Sequence, residues 1–544
     1  MPGVEKLSTS AEESFANDSN LLYENKICRL ATIDIGTNST HLLIASIDRS
    51  LKTFNIELAE KSTTRLGERE TDSGCLTSLA MNRVYQTLKR FKDISLSYKV
   101  TDLVIAATSA VREAPNGRDF LAQIKEQLEL DVDLISGQEE ARLIYLGVLS
   151  GMKFGNQPHF VLDIGGGSTE LVLADSHDAR ALTSTKIGAV RLQSEFIKEE
   201  SLSPEKHELL KTVIKGSLES AVNKVLDRVR AGEIPIMVAT SGTALSLASL
   251  IASKEGHSQN KLQGYGLKKS SLDILVNELV AMTPEERLDL PLLSERRAEI
   301  IVPGALILQT TMQMLGVGEV LLSERALREG LVVDWMFRHN LLEDRFSLQG
   351  SIREKTVLHQ AQRFSVDKER SERVAKIALI LYESTKGFLH QDIGEGRDLL
   401  WAAAMLHSCG KHINLNAYHK HSCYLIRHGE LLGYSQSEHL MVASIARYHR
   451  KSFPRKRHEA WQVLENATQR QIVSEMALLL RLAVSIGKRP EPVISSINVQ
   501  SKANALEIEL IPEQLGQNID LEKWSLNRTI ANIKKNQDID INVI

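Results

Sequence analysis

Two segments of this chain repeat one design, and that repeat constrains the fold more than any other feature. Residues 31–39 read Ala-Thr-Ile-Asp-Ile-Gly-Thr-Asn-Ser, and residues 160–170 read Phe-Val-Leu-Asp-Ile-Gly-Gly-Gly-Ser-Thr-Glu. In each, a short apolar run ends in an aspartate, a glycine turn follows, and small hydroxyl or amide residues come next. Such a run is a buried strand whose last residues emerge at a cleft. Glycine lets the backbone turn and approach a ligand closely, and successive N–H groups in the turn form a concavity for anions. One Asp-Ile-Gly alone is most simply an ordinary hairpin. Two copies, with Asp34 and Asp163 129 residues apart, point to duplicated half-domains facing each other across a cleft.

At 544 residues the chain is too long for a single core. Hydrophobic residues make up 42% and charged residues 25%, which are globular averages. The net charge of −3 argues against bulk binding of a nucleic acid polymer. Cys28, Cys75, Cys409 and Cys423 show no CxxC spacing, so free thiols in a reducing, cytoplasmic compartment are expected. No apolar stretch reads as a membrane span. Residues 1–25 read as a disordered tail.

The pattern predicts an α/β domain over 26–150, a second over 151–335, a helical domain over 336–490 and a small α+β piece over 491–544. Leu79, Val84, Leu88 and Phe91 are spaced as one helix face. Ser136-Gly-Gln-Glu-Glu opens a helix, with Ser136 as N-cap and Glu139 placed as in a capping box. The last stretch, from Ile494 to Leu510, reads as a hairpin.

The chemistry concentrates on acids and glycine loops. Gly36, Thr37, Asn38 and Ser39, with Gly165, Gly166, Gly167, Ser168 and Thr169, are the candidate phosphate cradles. Asp34 and Asp163 offer hard oxygen ligands that suit Mg²⁺. Glu170 would share that ion with Asp163, although it reads equally as a solvated hairpin carboxylate. Glu140 shares a helix face with Leu143, Ile144 and Gly147. Partial burial there would raise its pKa toward general-base duty; a first-turn glutamate serving the helix dipole is the competing reading. Arg65 and Arg112 are candidates for holding phosphate oxygens, although each singly is more often a surface arginine. Ser241-Gly-Thr is a weak third loop. Arg447, His449, Arg450 and Lys451, with His419, Lys420, His421 and the Pro454-Arg-Lys-Arg-His run, form a basic patch that either is a solvated face or extends the track of a long anion.

Asp34-Ile-Gly-Thr-Asn-Ser, Ser136-Gly-Gln-Glu-Glu-Ala-Arg-Leu-Ile-Tyr-Leu-Gly-Val and Asp163-Ile-Gly-Gly-Gly-Ser-Thr-Glu-Leu-Val together resemble the exopolyphosphatase / guanosine pentaphosphate phosphohydrolase family. The resemblance implies two actin-like (ribonuclease-H-like) domains with the active site between them, followed by an all-α HD-type domain and a small terminal piece. It implies that Glu140 activates the attacking water, that Asp163 and Glu170 are the metal-associated acids, that Gly36, Asn38, Ser39 and Gly165 to Ser168 are the phosphate loops, and that Arg112 lies near the substrate. An active HD site uses a histidine, a His-Asp pair and a later aspartate. Here Ser408 stands where the paired aspartate would, Arg370 and Val484 take the first and last places, and only His407 remains; that domain is expected to be metal-free. Glu299 stands where the family commonly has aspartate.

The expected activity is Mg²⁺-dependent release of terminal orthophosphate from inorganic polyphosphate, with a monovalent cation such as K⁺ as a further expected cofactor. The alternative substrate is guanosine pentaphosphate. A kinase of the same superfamily and a non-catalytic polyphosphate or alarmone sensor are the readings from other classes. A homodimer is a family-based expectation.

Overall fold

The computed structural model describes residues 27–197, 203–255, 262–342, 352–391, 395–464, 466–502, 505–536 and 539–544; the tail expected over 1–25 lies outside the described residues. The chain divides into two compact units, Met1–Gly350 and Ser351–Ile544.

The first unit contains two sheets of one topology. In the first lobe, β1 (Ile27–Ile35), β2 (Ser39–Asp48), β3 (Thr53–Thr63), β4 (Asp102–Ala107) and β5 (Asp133–Leu134) lie in the order β3-β2-β1-β4-β5. In the second lobe, β6 (His159–Ile164), β7 (Thr169–Ala174), β8 (Ala179–Thr185), β9 (Ile236–Thr240), β10 (Gly266–Lys268) and β11 (Glu319–Leu322) lie in the order β10-β11-β9-β6-β7-β8. Each lobe starts with a three-stranded antiparallel meander and adds two parallel strands on the other side of its first strand, and the second lobe carries β10 antiparallel to β11 as an extra edge strand. The duplicated motif is therefore a duplicated fold.

Strand parity decides which residues face the partner lobe. Ala31, Ile33 and Ile35 pack with the helices Ser78–Ser97 and Gly117–Leu128 in the core of the first lobe. Phe160, Leu162 and Ile164 pack into the core of the second. The alternate residues Leu30 and Val161 enter a third core shared by both sheets. With a period of two residues, Asp34 follows Leu30 and Asp163 follows Val161 onto those inner faces.

Two helices build the shared core, Gly137–Leu149 and Leu327–Arg338. They cross at a pair of glycines. A Cβ on Gly147 would overlap the Ala326 carbonyl oxygen, and one on Gly330 would overlap the Leu143 carbonyl oxygen. Arg142 fastens the crossing to Asp334 at 2.6 Å, and the Trp335 indole N–H donates to Asp102 at 2.6 Å. The boundary expected between 335 and 336 thus falls inside a helix that packs on the first sheet.

Several local expectations need correction. Leu79 is 65% exposed, and Ala80 takes the buried position in its place. Ser136 accepts from the Glu139 N–H, but the Glu139 carboxylate turns to Arg142 instead of closing a capping box. The helix Glu295–Leu315, of 21 residues, contains an 18-residue window with a mean hydropathy of 1.3 and is long and apolar enough to cross a membrane, which the sequence reading missed; 78% of that window is buried. Its apolar residues fill the core of the second lobe, which is why it is hydrophobic nearly all round.

The second unit is helical from Ile352 to Ile486 apart from connecting segments, and ends in a three-stranded sheet. In that sheet β12 (Ile494–Lys502) pairs antiparallel with β13 (Ala505–Pro512), the expected hairpin, and β14 (Asp540–Val543) adds parallel to β13. Leu480 and Leu482 share one core with Leu506, Ile508, Leu526 and Ile533. Helices and terminal sheet therefore belong to one hydrophobic body, not two separated at 490. All four cysteines are free.

Candidate functional site

Both hairpin turns close in the same way. The Gly36 N–H donates to the Ser39 carbonyl at 3.1 Å, and the Gly165 N–H donates to the Ser168 carbonyl at 2.9 Å. The two turns touch. A Cβ on Gly166 would stand 3.0 Å from Thr37 Cβ, so a side chain there would force the loops apart. The Thr37 and Ser109 hydroxyls are 3.0 Å apart. These loops line a cleft of about 290 Å³ together with Asp34, Asn38, Ser39, Glu140, Asp163, Ser168 and Glu170.

Sheet register supplies the acids. Asp34 is paired with His41, which is paired with Lys61, so one row crosses β1, β2 and β3. Glu170 is paired with Asp163, which is paired with Thr240, across β7, β6 and β9. Glu170 is 1% exposed and its Oε1 accepts from the Ser184 hydroxyl at 2.8 Å; it is not a solvated hairpin residue. Glu140 is buried as well.

Crowding four carboxylates out of water has one consequence for all of them. Burial, and then the charge of Glu140, pushes Asp34 and Asp163 up to about 7. Burial followed by Glu140 and Asp163 holds Glu170 well above the usual carboxylate range. Burial raises Glu140 too, and Arg112 opposes that rise. Among the described residues, Asp34 Oδ1 is buried without a hydrogen-bond partner. An orphaned carboxylate oxygen beside like charges is the environment that a divalent cation relieves. Among the described residues no three His, Cys, Asp or Glu side chains form a ready-made metal cage; Mg²⁺ bound through one or two carboxylates, waters and substrate phosphate needs none.

The opposite charge comes from residues that sequence reasoning missed. Lys61, Arg297 and Arg328 line the same cleft, with His41 beside them. Burial, then Arg297 and Arg328, lowers Lys61 to about 8. Burial, then Arg328 and Lys61, lowers His41 to about 3, so its imidazole is neutral. A Cβ on Gly242 would overlap the Arg297 guanidinium, which explains the glycine of Ser241-Gly-Thr: it leaves room for that side chain. The first hairpin's closure makes the Asp34–His41 pairing countable from sequence. Lys61 lies beyond a register shift between Ile44 and Ala45, and no motif marks Arg297 or Arg328.

Other expected ligand residues are placed elsewhere. Arg65 does not line the cleft; it pairs with Glu299 at 3.2 Å, both about half exposed. Arg112 does not line it either. Its Nη1 donates to the Ile135 carbonyl at 2.8 Å and to Glu140 Oε2 at 3.2 Å, so its guanidinium holds the Glu140 carboxylate from behind the cleft lining. Gly167 packs against Ser109 and Thr37, and the Thr169 hydroxyl donates to the Ile187 carbonyl at 2.7 Å. In the second unit His449 is buried, bonded through Nδ1 to the Ala446 carbonyl at 2.6 Å and through Nε2 to the Tyr418 hydroxyl at 3.1 Å; it is not available to an anion. Arg450 lies over the Tyr418 ring at 4.6 Å, Lys451 is exposed, and Arg447 lines a different cavity. His407 is buried with Nδ1 bonded to the Ala404 carbonyl at 2.7 Å.

The contact between Arg112 and Glu140 makes a testable pH effect. A guanidinium beside a carboxylate favours its charged form. Arg112→Ala is expected to raise the Glu140 pKa and move the acidic limb of a pH–rate profile to higher pH. An unmoved limb would show that Arg112 does not set the ionisation of Glu140.

Two α/β lobes built on the same strand order, with facing glycine loops around a cleft of buried acids and cations, define an actin-like enzyme fold. The family model described as Ppx/GppA phosphatase family matches residues 43–339, and that described as Ppx/GppA phosphatase, domain III, matches residues 352–529. This chain belongs to the Ppx/GppA phosphatase family. It is 29% identical over 484 residues to the guanosine-5'-triphosphate,3'-diphosphate pyrophosphatase of Pseudoalteromonas translucida (strain TAC 125), covering 88% of this chain and 91% of the relative. It is 28% identical over 495 residues to the protein of that name from Vibrio vulnificus (strain YJ016), covering 90% and 93%. Among solved structures, the Aquifex aeolicus family member aligns with a TM-score of 0.50 at 28% identity, over 58% of this chain and 99% of that one. An exopolyphosphatase from Cytophaga hutchinsonii ATCC 33406 aligns with a TM-score of 0.52 at 27% identity, over 57% and 98%.

Proposed function

We propose that the cleft hydrolyses a terminal phosphoanhydride and that its substrate is guanosine pentaphosphate. The observation that carries the hydrolytic reading is the meeting of both glycine loops, three cations and the buried Glu140 at one cleft. Backbone N–H groups of the two turns, with Asn38, Ser39 and Ser168, hold the terminal phosphate. Lys61, Arg297 and Arg328 balance charge on its oxygens. Glu140 accepts a proton from water as the water oxygen bonds to phosphorus; the bridging P–O bond breaks and the shortened phosphate chain leaves in line. Asp34, Asp163 and Glu170 are the residues that would hold Mg²⁺, which would supply neutralisation of the phosphate charge.

The nucleotide is preferred because relatives bearing the pyrophosphatase name align over nine-tenths of their length. Inorganic polyphosphate, first in the sequence reading, is the second reading, favoured by the likeness to the Cytophaga exopolyphosphatase. The same loops and base serve either substrate. Initial rates of orthophosphate release from guanosine pentaphosphate and from defined-length polyphosphate, with and without Mg²⁺, decide between them. Faster turnover of long polyphosphate at equal phosphate-end concentration would reverse the preference, and release of phosphate from neither would remove the hydrolytic reading.

Lys61 gives this reading a pH signature. Its pKa of about 8 means that it loses its proton, and with it an attraction for phosphate, as pH rises through that value; bound anion raises the pKa and delays the loss. KM is expected to climb above pH ~8, and Lys61→Arg, which keeps its charge, is expected to flatten the climb. A wild-type KM that stays level across this range would remove Lys61 from phosphate binding.

A further inference from the structure

Among the described residues, five carboxylates line the cleft, and four of them are the crowded acids Asp34, Glu140, Asp163 and Glu170. The fifth, Glu324, is exposed and stands apart from that group. It follows β11, which pairs with β9, which in turn pairs with β6, the strand of Asp163. Two strand spacings put its backbone about 10 Å from that of Asp163, and farther from Glu170 on β7. A carboxylate on the wall of a phosphate cleft repels phosphate, so it marks the place of a part of the substrate that is not phosphate.

The backbone around Glu324 is fixed. The Ser323 N–H donates to the Ala239 carbonyl at 2.9 Å, and the Thr240 hydroxyl donates to the Arg325 carbonyl at 3.1 Å. Glu324 is thereby held beside the end of β9, next to Ser241. Its own N–H donates to Gln263 Oε1 at 2.8 Å, and its Oε1 accepts from the Leu262 N–H at 2.9 Å. A carboxylate oxygen accepts two hydrogen bonds, so both oxygens still have room for a ligand donor. Ser241 also lines the cleft, and its φ of 95° is a left-handed conformation that a residue with a Cβ rarely adopts. Strain of this kind collects at ligand clamps. One turn further along the two helices that meet at Gly242 and Arg297, Leu245 and Ile300 add apolar lining.

We infer, on the nucleotide reading above, that this end of the cleft holds the base and that Glu324 selects guanine. The edge of guanine presents two donors side by side, N1–H and the exocyclic amino group, and a carboxylate presents two acceptors and no donor. Adenine presents a donor at N6 and an acceptor at N1, and that acceptor would face a carboxylate oxygen. Leu245 and Ile300 offer apolar surface to the ring. The phosphates then extend from Glu324 toward the glycine loops and the cations.

The test is kcat/KM for guanosine pentaphosphate and for its inosine and adenosine counterparts, which carry the same phosphates, in wild type, Glu324→Gln and Glu324→Asp. Wild type is expected to favour guanosine over adenosine by roughly tenfold or more, the discrimination of one bidentate pair. Inosine, which keeps N1–H and lacks the amino group, should fall between them. Glutamine presents one acceptor and one donor, the complement of adenine, so Glu324→Gln is expected to reverse the preference. The change should appear in KM with kcat nearly level, because the reacting phosphate is at the other end of the cleft. Aspartate keeps both acceptors on a shorter stem, and Glu324→Asp should still prefer guanosine, at a higher KM. Wild type that turns over the guanosine and adenosine compounds equally overturns the inference without any variant. So does a guanosine-to-adenosine ratio that Glu324→Gln leaves unmoved, even if both KM values rise, since that is the mark of a purely structural carboxylate. Hydrolysis of inorganic tripolyphosphate with none of guanosine pentaphosphate is a separate failure: it removes the nucleotide reading and the base site with it.

Discussion

Glu140→Gln is expected to lower kcat on guanosine pentaphosphate by roughly 10²–10⁴-fold, the usual contribution of a positioned general base, with substrate affinity changed by no more than about threefold. The side chain is buried, lines the cleft and is held at Oε2 by Arg112. Glutamine keeps its size and can still accept from Arg112, but it cannot take a proton from water. Loss of the carboxylate also removes a like charge from Asp34, Asp163 and Glu170, whose pKa values its charge raises. Single-turnover rates and equilibrium binding separate the two effects. Residual turnover within tenfold of wild type would take Glu140 out of the mechanism.

Gly330→Ala is expected to produce the largest loss of stability from the smallest change. Its Cβ would overlap the Leu143 carbonyl oxygen, and that obstacle is backbone, not the end of a flexible side chain. The helices Gly137–Leu149 and Leu327–Arg338 must separate at their crossing, and overpacking of this kind costs about 1–3 kcal/mol or more. Glu140 lies one turn from Leu143 and Arg328 two residues before Gly330, so a wider crossing displaces a cleft acid and a cleft cation together. Melting should fall by several degrees and turnover should fall with it. Gly216→Ala supplies the control. It lies within the helix Pro204–Leu226 with nothing within 4 Å of its Cβ position, and Ala for Gly in a helix interior stabilises by up to ~1 kcal/mol. Equal melting of the two variants would show that the crossing is not as tight as it looks.

How much of the site could be read in advance depended on the reach of the contacts involved. The hairpin of β1 and β2 follows from nine residues and one glycine turn, and its closure fixes Asp34 opposite His41. Helix spacing put Glu140 on the face of Leu143, Ile144 and Gly147 and left open whether it was an inward base or a first-turn glutamate serving the helix dipole; the structure buries it. Arginines were misjudged. Arg65 and Arg112 sit beside recognisable motifs, yet one pairs with Glu299 and the other with Glu140. Arg297 and Arg328 sit beside no motif and line the cleft. A guanidinium on a long flexible stem reaches several places from one Cα, so local sequence says little about where its charge ends up. The basic patch failed for a related reason: the imidazole of His449 is spent on a carbonyl and a tyrosine inside the helical unit, and the period of a helix does not show which neighbour covers a given face.

The amino-acid order alone determined the doubled hairpin, the glycine turns, the acids at the strand ends and the helix face that Glu140 shares with Leu143, Ile144 and Gly147. These are properties of φ/ψ preference and of periods of two and 3.6 residues, which act over a few positions. Only the tertiary structure decided that the inner faces of the two sheets meet, that glycine-on-glycine contact lets two helices cross between them, and that Lys61, Arg297 and Arg328 arrive beside the acids. Those outcomes depend on a register shift and on packing between segments far apart in sequence, where burial is decided by the whole core at once.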